Sequence, residues 1–288
     1  MKNMAWIAVF VFGVFFALTS AAEKSGDQSA HAIYGPDNRQ DWSEVKDYRL
    51  KRWARSTLAL ISSKDLELNG DSFTIKAEDY ETSAGLCPGT KFGKQLTPGF
   101  CSGFLVGDDL LLTAGHCIAN LEECKETFFV FDFAVTSKNE NPKNLKLNKV
   151  FRCQDLISQN LTNELNYALI KLDRPTGRNY FSVRRQGQPR KMEKLTMIGH
   201  PAGLPSKISD GGEVLEVTDK IIGSVDAFGG NSGSVVLNRQ TGLVEGVLVA
   251  GEPDFERSGS CLIEKICGPE CKGEEIFPVS LISHLIPK

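Results

Sequence analysis

The chain has 288 residues, 41% of them hydrophobic and 24% charged, a globular composition that excludes a disordered or low-complexity chain. Its 33 basic and 36 acidic residues nearly cancel, so no net field gathers nucleic acid or an anionic membrane surface. Two local basic stretches, 143–152 and 184–194, are interleaved with polar residues, lack aromatic spacing and read as solvated loops.

The N-terminus carries Lys2, an apolar run over 4–18 and the small residues Ser20, Ala21 and Ala22. These are the parts of a secretory signal peptide over 1–22, expected to be cleaved near Ala22. The run is too short for a comfortable membrane span, so no membrane contact is expected after its removal. The remaining chain has 32 basic and 36 acidic residues, a net charge of −4. Residues 23–55 are polar, broken by Gly26 and Gly35-Pro36, and read as a poorly packed leader or propeptide ending in a basic segment at 49–55. At Ser56 the texture changes. Short strand-like runs follow at 56–61, 103–106, 110–113, 127–133, 168–172, 195–198, 235–237 and 243–249, separated by Gly, Pro, Asn and Asp. Many short strands with turn signals, and no long 3.6-residue period, predict an all-β barrel or sandwich. The apolar stretch 279–286 predicts a short C-terminal helix.

Three segments carry chemistry through their joint occurrence. In the first, residues 101–106 and 111–117, His116 directly follows an apolar strand and precedes Cys117. The second, residues 229–234, is a Gly-Gly-Asn-Ser-Gly-Ser turn ahead of a strand; glycines around a Ser let backbone N–H groups converge on one point. The third, residues 166–172, is a buried-strand pattern headed by Asn166. All eight cysteines lie beyond residue 22, and an even count in an exported chain points to disulfides. Cys261, Cys267 and Cys271 lie close together, but no CxxC pair or HExxH motif supports a metal site.

Taken in order, Thr113-Ala114-Gly115-His116-Cys117, the 166–172 strand and Gly230-Asn231-Ser232-Gly233-Ser234 resemble the trypsin/chymotrypsin superfamily. The similarity is greatest to its bacterial branch with Gly-Asn-Ser-Gly-Ser, which includes glutamyl endopeptidases, and it runs over residues 56–288. The resemblance implies a chymotrypsin-like fold of two six-stranded antiparallel β-barrels, joined near 175–190, with the active site between them. It implies Ser232 as nucleophile, His116 as general base, and the N–H groups of Gly230 and Ser232 as oxyanion hole. Asp226 falls at the base of the primary pocket, implying a basic residue at the cleaved bond, and Gly251 falls at the pocket wall. A Cys101–Cys117 bridge matches the family's clamp beside the catalytic His; the other six cysteines allow 15 connectivities, with Cys124–Cys153 suggested inside the first barrel. The resemblance implies a monomer that acts on a protein or peptide substrate, with no cofactor and no metal.

Two positions depart from the family pattern. Asn166 stands where a triad Asp is expected, and an amide can hold the imidazole in the wrong tautomer. Glu164 is the nearest substitute acid in sequence. Asn231 stands where trypsin-like zymogens place the Asp that pairs with a new N-terminal amine, so that activation route is closed. His200 reads as structural, and His31 and His284 have no motif around them. The expectation is an exported serine endopeptidase; the rival is an impaired or inactive homologue that binds peptides or a partner protein.

Overall fold

Apolar residues in the strands rarely alternate with polar ones because most strands are covered on both faces. In Thr57–Ser62, Leu58 and Leu60 enter one core while Ala59 and Ile61 enter another. The same split occurs in Val235–Asn238, where Val235 and Leu237 face one core and Val236 the other. The computed structural model describes residues 32–138, 140–162 and 164–288; the expected signal peptide, residues 23–31 of the expected leader and His31 lie outside them.

Twelve strands build the body, labelled here in chain order. The first six are β1 Thr57–Ser62, β2 Gly99–Leu105, β3 Leu110–Thr113, β4 Thr127–Phe131, β5 Val150–Leu161 and β6 Asn166–Leu172. They close a barrel in the order β1-β2-β3-β6-β5-β4, all neighbours antiparallel. The second six are β7 Lys194–Gly199, β8 Lys207–Val217, β9 Ile221–Gly223, β10 Val235–Asn238, β11 Val244–Ala250 and β12 Glu274–Pro278. Their order, β7-β8-β9-β12-β11-β10 and back to β7, repeats that of the first barrel. The result is the chymotrypsin-like double barrel. One large core runs between the barrels, from Phe104, Leu112 and Phe131 to Val235, Val247 and Phe277. The C-terminal segment Val279–Leu285 is a 3₁₀ helix, seated on that core through Val279 and Ile282.

The expectation of a poorly packed leader over 23–55 is corrected for its described part. Ile33–Tyr34 pairs in parallel with Ile266–Cys267, and Arg39–Asp41 adds a seventh strand to the second barrel along β8. Helix Tyr48–Ala54 is capped by the Asp47 side chain and buries Leu50 and Ala54. The segment reads as a loop in sequence because two of its charged residues, Arg39 and Asp41, are buried against opposite charges. Arg39 is fully buried, bonds Asp37 and Glu264, and lies 4.3 Å over the Phe228 ring. Buried Lys207 bonds Asp41, Gln95 and Pro205 O.

Four disulfides are present: Cys87–Cys261, Cys101–Cys117, Cys124–Cys153 and Cys267–Cys271. The first ties the excursion between β1 and β2 to the Phe255–Ser258 and Cys261–Glu264 hairpin of the second barrel. Among the described residues, no helix is long and apolar enough to cross a membrane.

Candidate active site

His116 lies in the 3₁₀ turn Gly115–Cys117 that follows β3 after Ala114. A Cβ at Gly115 would stand 2.2 Å from Asn160 O, so only glycine lets this turn press against the β5–β6 hairpin that carries Asn166. The Cys101–Cys117 bond fixes the far side of the turn to β2. The sulfurs of Cys101 and Cys117 and a ring nitrogen of His116 lie within 4.8 Å of one another. Both sulfurs are in the bridge and cannot act as thiolate ligands.

Asn166 Oδ1 accepts the Gly115 N–H at 2.7 Å and lies 3.3 Å from His116 N. His116 Nδ1 lies 3.1 Å from the Asn166 Nδ2 and 3.3 Å from its Oδ1, so the NH₂ is the nearer of the two amide atoms to the ring. The backbone donors decide which way the amide faces: Oδ1 has to meet them, so the NH₂ faces the imidazole. With that NH₂ donating, Nδ1 is the acceptor and the ring proton resides on Nε2; Oδ1 could accept an Nδ1 proton only at the longer 3.3 Å. A triad carboxylate would accept on both sides. The nearer amide atom favours the opposite tautomer.

Ser232 sits in the turn between Phe228 and Ser234, and this turn meets the His116 segment directly. Ser102 N donates to Ser232 O at 2.8 Å. At Gly233, where φ is +87°, a Cβ would fall 2.0 Å from Ser102 O and 2.2 Å from Thr113 Oγ1. The Ser232 turn therefore rests on the strand ends that present the histidine. Ser232 is nearly buried, and its Oγ makes no hydrogen bond among the described residues.

Within the turn, Gly229 N donates to Asp254 Oδ2, Asn231 N to Phe228 O, Gly233 N to Leu248 O and Ser234 N to Asn231 O. Among the described residues Gly230 N and Ser232 N make no such bond. Gly229 C=O accepts the Ala202 N–H. In a planar trans peptide the Gly230 N–H must then point the opposite way. Asn231 is buried and receives the Ser234 hydroxyl on its Oδ1.

A cleft of about 420 Å³ opens beside His116 and Asn166, lined by Leu161, Glu164, Lys220, Val249, Ala250 and Phe277 among others. Glu164 is exposed at its rim, whereas the Nδ1 side of His116 is met by Asn166. Gly251 follows directly on β11, whose Val249 and Ala250 line the cleft.

Asp226 requires a correction. It is fully buried, Oδ1 accepts Tyr34 N and Oδ2 accepts Asn38 N, both at 2.8 Å. Burial pushes its carboxyl up to about 6, against the lowering effect of those two N–H groups. Both oxygens are engaged by the N-terminal segment, so the carboxylate is not offered to a basic substrate side chain. His200 is structural: its ring is buried, held through Nδ1 by Leu204 O and stacked on Phe133. Sequence reasoning passed over Ser102, because nothing in residues 101–106 signals a side chain reaching the turn at 230.

A family model described as a trypsin-like peptidase domain matches residues 101–247. Among solved structures, a Glu endopeptidase in complex with MPD is 18% identical, with a TM-score of 0.50, covering 88% of this chain and 99% of that one. A serine endoprotease from Yersinia pestis is 14% identical, with a TM-score of 0.50, covering 83% of this chain and 65% of that one. No curated protein matches the sequence. At such identities the structures bear on the fold, while the domain match spans just over half the residues and includes His116, Asn166 and Ser232. The chain belongs to the trypsin-like peptidase family.

Proposed function

We propose that the chain is an exported serine endopeptidase, working as a monomer through a Ser232 acyl-enzyme and slowed by Asn166. Ser232 Oγ attacks the scissile carbonyl carbon and passes its proton to His116 Nε2. The N–H groups of Gly230 and Ser232 receive the developing oxyanion, one such donor contributing on the order of 3 kcal/mol. His116 then protonates the leaving amine, and water repeats the sequence on the acyl-enzyme. The observation that carries this reading is the meeting of the Ser232 turn with the His116 segment through Ser102 N to Ser232 O. Four disulfides, with no free cysteine among the described residues, suit the oxidising compartment that an exported chain reaches.

The proton transfer needs a lone pair on Nε2, hence a proton on Nδ1. Turning the Asn166 amide would supply that tautomer but set its NH₂ against the Gly115 and His116 N–H groups. Losing those partly buried contacts costs about 1–3 kcal/mol each. An Asn at this position in a related protease lowers kcat by ~10⁴, about 5.5 kcal/mol of barrier, near the top of the roughly 2–6 kcal/mol that two such losses span. The approach of Asn166 Nδ2 to His116 Nδ1 is also the specific observation favouring a second reading, a homologue that binds peptides and turns them over negligibly.

A fluorophosphonate probe separates the two. The endopeptidase reading expects slow, stoichiometric labelling of Ser232 in folded protein and none in Ser232→Ala. Folded protein that stays unlabelled over hours favours the binding homologue. The basic preference inferred for Asp226 is not retained. Across a peptide panel, Asp226→Asn is expected to leave the ranking of residues at the cleaved bond unchanged, because both carboxylate oxygens face Tyr34 N and Asn38 N.

A further inference from the structure

We propose that Ser102 is a positioning residue for the oxyanion hole, acting through a single hydroxyl that clamps the Gly229-Gly230 turn. Ser102 is fully buried on β2, directly after the bridged Cys101. Its Oγ lies 2.8 Å from Gly230 O and 2.9 Å from His200 N. The direction of both bonds is forced. His200 N–H can only donate and Gly230 C=O can only accept, so the hydroxyl takes the first proton and gives its own to the second.

The clamp acts on both peptides that flank Gly230. Two consecutive glycines leave a backbone free to rotate, and Gly230 adopts φ +88°. The 230–231 peptide is held by the Ser102 hydroxyl on its carbonyl and by Asn231 N to Phe228 O on its N–H side. The 229–230 peptide is held by Ala202 N, which belongs to the turn that starts at His200. Ala202 is itself in the left-handed region, φ +50°, so this turn depends on neighbours to keep its shape. By accepting from His200 N, Ser102 anchors that turn as well. One side chain of the first barrel thus sets the aim of the Gly230 N–H in the second.

The proposal rests on the endopeptidase reading, and the test separates the two. Steady-state kinetics and fluorophosphonate labelling are measured on the full chain for the natural protein, Ser102→Ala and Ser102→Thr, with affinity for a peptide aldehyde and the thermal midpoint. Ser102→Ala is expected to lower kcat and the labelling rate by about 10- to 100-fold, a fraction of the 10²–10³ that follows loss of a whole oxyanion donor. KM should stay within about threefold, and aldehyde affinity should fall with kcat. Ser102→Thr keeps the hydroxyl and should restore most of the loss. Amide hydrogen exchange reads the clamp without activity: Ala202 and Asn231 N–H should exchange faster in Ser102→Ala and not in Ser102→Thr. Failure of the natural protein to label, with that exchange difference present, counts against the endopeptidase reading alone. Unchanged exchange, or Ser102→Ala turning over at the natural rate, overturns the proposal.

Discussion

At the scale of single residues, the chemistry turns on which groups can only donate. Gly115 N–H fixes the face of the Asn166 amide, and that face fixes the imidazole tautomer. His200 N–H likewise fixes the Ser102 hydroxyl toward Gly230. Two buried ionisable groups also give opposite dependences of stability on pH. His200 is pushed down to about 4 by burial from an ordinary 6.5, so its contribution is complete above pH 6.5 and is lost as pH falls through 4. Asp226 is pushed up to about 6 from 3.8, so its contribution is complete below pH 3.8 and is lost as pH rises through 6. Each shift corresponds to on the order of 3 kcal/mol. In His200→Gln only the carboxylate side of this balance remains. Urea unfolding should therefore show the natural protein gaining on the variant by roughly that amount between pH 4 and 6.5. A gap that stays constant would remove His200 from the balance.

At the scale of elements, the N-terminal strand Arg39–Asp41 and the long-range bridge Cys87–Cys261 are fold-building parts that the sequence does not advertise. The strand is three polar residues, Arg39, Gln40 and Asp41, and its register on β8 is made by Lys207 reaching Asp41. Breaking that buried pair by Lys207→Ala should cost about 3–5 kcal/mol in urea unfolding, because Asp41 is left uncompensated. A loss under 1 kcal/mol would show the strand to be dispensable. The bridges differ in the chain they enclose. Cys87–Cys261 spans 174 residues and Cys267–Cys271 only 4, so chain entropy assigns them about 5 and 2 kcal/mol. Paired Cys→Ser substitutions should follow that order in thermal midpoint; the reverse order would mean native-state strain dominates.

At the scale of the molecule, two barrels of identical strand order meet across a cleft. That fold was legible because Thr-Ala-Gly-His-Cys and Gly-Asn-Ser-Gly-Ser each sit at a strand end, in family order, within a chain of short strands and turns. What stayed hidden were pairings made by folding alone. Asp226 occupies a pocket position in sequence, yet its oxygens meet Tyr34 and Asn38, 192 and 188 residues away. Ser102 meets Gly230 across 128 residues. Local pattern records neither, since strand period and turn chemistry describe neighbours, while buried polar contacts depend on which strand ends the barrels bring together.

The most direct measurement compares kcat/KM of Asn166→Asp with that of the natural protein on one peptide substrate, with Ser232→Ala as the blank. A carboxylate accepts from Gly115 N–H and from Nδ1–H together, freeing the Nε2 lone pair. The variant should gain about 10³- to 10⁴-fold, and Ser232→Ala in the same background should erase the gain. Equal rates in the natural protein and Asn166→Asp would contradict the tautomer assignment on which the catalytic account depends.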